Sequence, residues 1–174
     1  MNKKTIEKIF NFLKEKEDKQ LPTSWKVFLA KENIIEYIIA KFGNHPDGTQ
    51  YIHNGYSNLG NRNIKKMPKD FYTDGDLDLS DNKQLTELPD KLYIGGFLDL
   101  GQCNQITKLP DNLYVNDWLD LDNCEQITEL PKNLYVGGNL YIRNTPLVKK
   151  YTNEEIREIV TSTGGQIIGD IFRV

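Results

Sequence analysis

Cysteine, histidine, methionine and tryptophan are scarce, with two of each in 174 residues. Two cysteines cannot build a disulfide framework and point to a reducing compartment, so a cytoplasmic location is expected. His45 and His53 stand alone in a connecting stretch, and there is no Cys-x-x-Cys, so no zinc constellation is visible. A glycine-rich phosphate loop and a Ser-His-Asp arrangement are also missing. No apolar run approaches the roughly 20 residues of a membrane-spanning helix. The basic start Met1–Lys4 runs into an amphipathic stretch broken by charges, unlike the core of a signal peptide. The expectation is a non-enzymatic chain with no cofactor, no metal and no membrane partner.

What is present suits one folded unit: 38% hydrophobic and 27% charged residues, with a net charge of −3. That charge is unevenly placed. Residues 1–50 carry nine Lys against seven Asp or Glu, whereas residues 63–146 carry eight basic and fourteen acidic residues. An acidic segment of net −6 therefore follows a basic one of net +2.

The acidic segment is a repeat. Pro68, Pro89, Pro110 and Pro131 are each 21 residues apart. Apolar residues recur at Leu85, Leu88, Leu92, Ile94, Leu98 and Leu100, and again 21 positions later. No helical period fits, but Leu92-Tyr93-Ile94 and Leu98-Asp99-Leu100 each alternate inward and outward. Between such pieces lie Asp74-Gly75, Gly95-Gly96, Asn116-Asp117 or Gly137-Gly138, residues that tolerate positive φ, so a corner is expected there. Leu-Pro then opens another side, since proline cannot continue a helix or a central ladder. One such turn cannot bury its own leucines, but stacked turns share a continuous core and a parallel sheet.

The residues Leu98-x-Leu100-x-x-Cys103-x-x-Ile106 and Leu119-x-Leu121-x-x-Cys124-x-x-Ile127 resemble leucine-rich repeats of the cysteine-containing kind. Leu77-x-Leu79-x-x-Asn82 carries the alternative asparagine, and the fourth unit has Thr145. The Leu-Pro-x-x-Leu segment is similar to short bacterial and phage-type repeats, whose convex side is extended rather than helical. The resemblance implies an α/β repeat protein, a short leucine-rich-repeat solenoid with a parallel β-sheet. It also implies that Cys103 and Cys124 stack as small buried groups.

The expected organisation has four parts. Residues 1–43 form a helical N-terminal region, with apolar sets such as Ile6, Ile9, Phe10 and Leu13. Residues 44–62 are a connecting loop and degenerate first turn, and 63–146 hold the four repeats. Residues 147–174 are a C-terminal cap. Its helix starts at Thr152-Asn153-Glu154-Glu155, and its last strand, Gly169-Asp170-Ile171-Phe172, resembles Gly138-Asn139-Leu140-Tyr141. The N-terminal helices either pack on the solenoid or form a separate module.

Residues flanking the inward leucines make the candidate surface, the concave sheet face. Its outward rows are Asp76/Asp78/Ser80, Phe97/Asp99/Gly101, Trp118/Asp120/Asp122 and Asn139/Tyr141/Arg143. Asp78, Asp99 and Asp120 form a ladder of neighbours about 5 Å apart. Their repulsion in water is about 1 kcal/mol at that spacing, tolerable though unfavourable. Aromatics beside charges typify protein-binding hot spots. The expected binding set is Asp76, Asp78, Phe97, Asp99, Trp118, Asp120, Asp122, Tyr141 and Arg143. Their partner would be a protein with a basic surface, such as a nucleoprotein complex. By analogy with small phage-type repeat proteins, one version is an inhibitor of a host defence complex, of the anti-CRISPR kind. Two alternatives stand beside it. The carboxylate ladder serves a cation-dependent module or an enzyme, although no loop encloses it. Or the basic N-terminal helices bind nucleic acid, which their interleaved acidic residues disfavour. Two further columns read as structural: Tyr72, Tyr93, Tyr114 and Tyr135 as stacked rings, and Gln84, Gln105 and Gln126 as an amide ladder.

Overall fold

The computed structural model describes residues 50–52, 57–67, 71–73, 75–90 and 92–174. The helical region expected over residues 1–43 lies outside them. Among the described residues the chain is a parallel β-solenoid with a period near 21 residues, and its strands pair only with their counterparts one turn away.

Each turn contributes two very short strands. β1 (Gln50–Ile52), β3 (Phe71–Thr73), β5 (Leu92–Ile94), β7 (Tyr114–Val115), β9 (Tyr135–Val136) and β11 (Gln166–Ile167) stack in that order into a first six-stranded sheet. β2 (Ser57–Asn58), β4 (Leu77–Asp78), β6 (Leu98–Asp99), β8 (Leu119–Asp120), β10 (Leu140–Tyr141) and β12 (Ile171–Phe172) make a second. All pairings are parallel and join equivalent positions: Tyr93 with Tyr114, Asp78 with Asp99, Asp99 with Asp120. The expectation of a single parallel sheet with an otherwise extended far side is corrected here. Both alternating pieces of the repeat become strands, so the tyrosine column stands on a sheet of its own.

The recurring leucines, isoleucines and valines fill one continuous core between the sheets and the Leu-Pro side. Burying them stabilises the stack, at about 25 cal/mol per Å² of apolar surface. Cys103 and Cys124 are free and fully buried in this core. Each thiol donates to a main-chain carbonyl of the preceding turn, Leu79 and Leu100 respectively, at 3.1 Å. Burial pushes the Cys103 thiol up to about 12 and raises Cys124 further, so neither supplies a thiolate.

The corners differ from the expectation in their cause. Gly95, Gly96, Gly137 and Gly138 do not adopt positive φ; among the described residues Gly164 is the glycine that does. Close approach between turns is what demands glycine at position 137. A Cβ there would land on the carbonyl oxygen of Asn116 in the turn below, while Gly137 N–H donates to Val115 at 2.9 Å. Gly137→Ala should therefore cost about 2 kcal/mol, because the neighbouring turns cannot separate without losing ladder bonds. Thermal unfolding followed by circular dichroism measures this, and an unchanged midpoint would show that the corner can relax.

The left-handed positions are occupied by polar residues. Asp81, Gln102, Asn123 and Asn144 recur every 21 residues with φ near +60°, and Asn112 and Asn133 form a second such pair. Asn and Asp tolerate this region better than other side chains. Amide ladders run along these columns, Asn144 to Asn123 at 2.9 Å and Asn133 to Asn112 at 3.0 Å. The ladder expected for the glutamines is not formed by Gln126, whose amide donates to the Asn104 carbonyl.

At the C-terminal end lie a short helix α1 (Pro146–Lys150) and a longer one, α2 (Asn153–Ser162). Thr152 and Glu155 form a reciprocal capping box at the start of α2. Its buried Ile156 and Val160 join the core. Arg157 donates to the carbonyls of Ile167 and Gly169, and Asn153 to that of Ile171. These side chains occupy acceptors that a sheet edge would otherwise leave open. Among the described residues no helix is long and apolar enough to cross a membrane.

Candidate functional site

Register fixes the outer face of the second sheet. Because strands pair at equivalent positions, one row runs Asn58, Asp78, Asp99, Asp120, Tyr141 and Phe172. The neighbouring row, one residue before each strand, contains Asp76, Phe97, Trp118, Asn139 and Asp170. A third row contains Ser80, Gly101, Asp122 and Arg143. The carboxylate ladder and the aromatics therefore do share a face.

The aspartates divide into two groups. Asp78, Asp99 and Asp120 each use Oδ1 to accept the amide two residues onward in the same turn, from Ser80 (2.9 Å), Gly101 (2.8 Å) and Asp122 (2.7 Å). Ser80 Oγ also donates to Asp78 at 2.6 Å. These bonds hold the three carboxylates in one orientation along the ladder. Asp76 and Asp122 instead clasp the next turn, accepting from the amides of Phe97 (3.1 Å) and Arg143 (2.7 Å).

Asp122 corrects the outward row expected from alternation. It is only 6% exposed, and Arg143 closes over it through Nε at 2.6 Å and a second guanidinium nitrogen at 2.5 Å. The charges of Asp122 and Arg143 are thus spent on each other. Of the nine candidates, Asp76, Asp122 and Arg143 hold the solenoid together, and Asp78, Asp99, Asp120, Phe97, Trp118 and Tyr141 form the presented surface.

The aromatics are ordered by contact. Phe97 and Trp118 stack with centroids 4.0 Å apart and planes 9° from parallel. Tyr141 meets Trp118 edge-on at 6.1 Å and stacks on Phe172 at 4.9 Å. A diagonal stripe therefore crosses four turns. Phe172, absent from the expected set, is 40% exposed at its end. Its signal was in the sequence, since Gly169-Asp170-Ile171-Phe172 aligns it with Tyr141. On the first sheet, Tyr93, Tyr114 and Tyr135 stack at 4.6 Å spacing, a packed column that consolidates that side.

Half-burial shapes the ladder's electrostatics. Asp99 is raised from its ordinary value, first by burial and then by the charges of Asp78 and Asp122, against the Gly101 amide. Asp120 is pushed to about 6, again chiefly by burial, with Asp122 and Asp99 adding to it. Folding therefore favours protonated Asp120. That stabilisation is complete below about pH 4 and is lost as pH rises through about 6. Asp120→Asn keeps an acceptor for the Asp122 amide and removes the charge. It should match wild type near pH 4 and gain up to about 1 kcal/mol at pH 7.5, a figure discounted for solvent screening. Urea unfolding at the two pH values tests this; equal stability at pH 7.5 would show that the ionised ladder is not strained.

Among the described residues, no group of three or more His, Cys, Asp or Glu is placed to hold a metal ion. A shallow groove of about 780 Å³ runs along the Leu-Pro side past Leu88, Leu109 and Leu130. Lys66 pairs with Glu87 at 2.9 Å in a column that continues as Lys108 and Glu129. This pairing lowers Glu87, and opposite charges there satisfy each other. No family model, curated protein or solved structure matches the chain.

Proposed function

We propose that this chain is a non-enzymatic, protein-binding solenoid of the leucine-rich-repeat type, and that its second sheet engages a basic surface on another protein. The observation that carries the reading is the pairing of an ionic ladder with a stacked aromatic stripe. Asp99 and Asp120 are held half-buried, side by side, at a cost to stability that a neutral residue would avoid. Charge retained against stability is a common mark of a surface shaped for binding. Carboxylates in such a place steer a cationic partner and reject acidic ones, while Phe97, Trp118, Tyr141 and Phe172 supply the anchoring area. The thiols lie in the core and Asp122 is closed by Arg143, so the charged groups this face presents are the ladder carboxylates Asp78, Asp99 and Asp120. Within this reading the partner is a nucleic-acid-handling protein or complex, whose basic channel an acidic solenoid would block. The repeat type is supported by the column Asn82, Cys103, Cys124 and Thr145, each a small polar or thiol group buried against main-chain carbonyls.

Affinity capture from cell lysate with the wild type and with Asp99→Lys/Asp120→Lys tests the proposal. The expected result is a protein retained by the wild type and lost with the variant. Equal retention by both would contradict it.

A further inference from the structure

The aromatic stripe has a length, a direction and a ring orientation, and these restrict what can lie on it. Phe97, Trp118, Tyr141 and Phe172 sit on four successive turns, three steps of about 4.8 Å, or roughly 14 Å from end to end. Three turns of an α-helix, at 5.4 Å each, advance roughly 16 Å, so apolar residues at i, i+4, i+7 and i+11 follow the stripe with a slip of about 2 Å. An extended strand presents alternate side chains roughly 6.6–6.8 Å apart, and over three steps it drifts by more than a full turn of the solenoid.

Ring orientation and the ladder's charge disfavour two other occupants. Bases and sugars bind aromatic residues by covering a ring face. Here Phe97 and Trp118 cover each other at 4.0 Å, and Tyr141 and Phe172 do so at 4.9 Å. Within each stacked pair the facing surfaces are closed to a ligand, and the edges beside them suit packing against aliphatic side chains. The flank is charged: Asp78, Asp99 and Asp120 lie in the row next to Phe97 and Trp118.

Resting on the protein-binding reading above, we infer that this stripe seats one amphipathic basic helix of the partner, its apolar residues along Phe97, Trp118, Tyr141 and Phe172 and its Lys or Arg flank over Asp78, Asp99 and Asp120. The occupant is thus a helix-in-groove ligand of cationic character, not an extended peptide, an oligosaccharide or a single-stranded nucleic acid.

A library of random 16-residue peptides, panned on the full chain, tests the inference. Enriched sequences should carry apolar residues at spacings of three and four, with Lys or Arg on one flank, and should gain helical circular dichroism on binding. Phe172→Ala, with its own fold checked by circular dichroism, should weaken them at least tenfold. No enrichment, a period-two apolar pattern, or affinities indifferent to Phe172→Ala would overturn the helix. If enriched peptides are basic but aperiodic and lose binding to Asp99→Lys/Asp120→Lys, the helix fails while the function reading stands. If binding ignores that variant too, both fail.

Discussion

Asn82→Ala is expected to destabilise the protein by about 4 kcal/mol, a midpoint loss of roughly 10 °C for a chain of this size. Asn82 is fully buried. Its amide nitrogen donates to the carbonyls of Leu59 at 2.9 Å and Leu79 at 2.7 Å, tying two turns together. Its oxygen accepts from the amides of Ile64 at 2.9 Å and Arg62 at 3.2 Å. In later turns the equivalent amides of Leu85, Ile106 and Ile127 bond to a main-chain carbonyl of their own turn. Ile64 instead relies on the Asn82 side chain, and truncation would leave its buried N–H and the Leu59 carbonyl without that partner, with only the weak Cys103 thiol on the Leu79 carbonyl. Asn82→Cys should fall between, because a thiol can reach a carbonyl as Cys103 and Cys124 do but offers the Ile64 amide little. Urea denaturation of the three proteins gives the ranking. A loss below 1 kcal/mol for Asn82→Ala would show that water replaces the side chain.

Reversing Asp99 and Asp120 to lysine is expected to weaken partner binding at least 100-fold while the fold persists. Both carboxylates already cost stability in their ionised form, and their Oδ1 bonds serve only the next amides of their own turns. A lysine can extend its ammonium to water from either position. At the interface the change replaces attraction by repulsion at two adjacent points, each worth a few kcal/mol when desolvated. The same groups make binding depend on pH. Asp120, at about 6, must be ionised to meet a cation, so affinity should fall between pH 7.5 and 5. A cationic partner would in turn draw that value down.

Much of this was legible from the residues. Prolines at a fixed 21-residue spacing and leucines alternating around Asp99 and Asp120 place the ladder and its register from the residues alone. The first sheet, with its tyrosine column, was obscured because its strands, two or three residues long, alternate in the same way as those of the ladder sheet and lie one corner away. For the corner glycines the sequence suggests positive φ, the usual reason for glycine in a turn. Their role depends instead on how closely Asn116 approaches from another turn, a tertiary distance that composition does not carry. The left-handed positions are hard to see in the sequence because Asp81, Gln102 and Asn123 are different residue types in one column. Alternation also put Asp122 outward, and only the closing of Arg143 across the turn buries it. Phe172 shows the converse: the alignment with Tyr141 was in view, but its place on the binding stripe follows from the ring contact.

The central claim is that the ladder on the second sheet holds a basic partner. Isothermal titration of that purified partner against wild type and Asp99→Lys/Asp120→Lys, at low and physiological salt, tests it most directly. The account predicts tight binding by wild type that weakens with salt, and at least a 100-fold loss in the variant with its far-ultraviolet spectrum unchanged. Equal affinities for the two proteins, unaffected by salt, would contradict it.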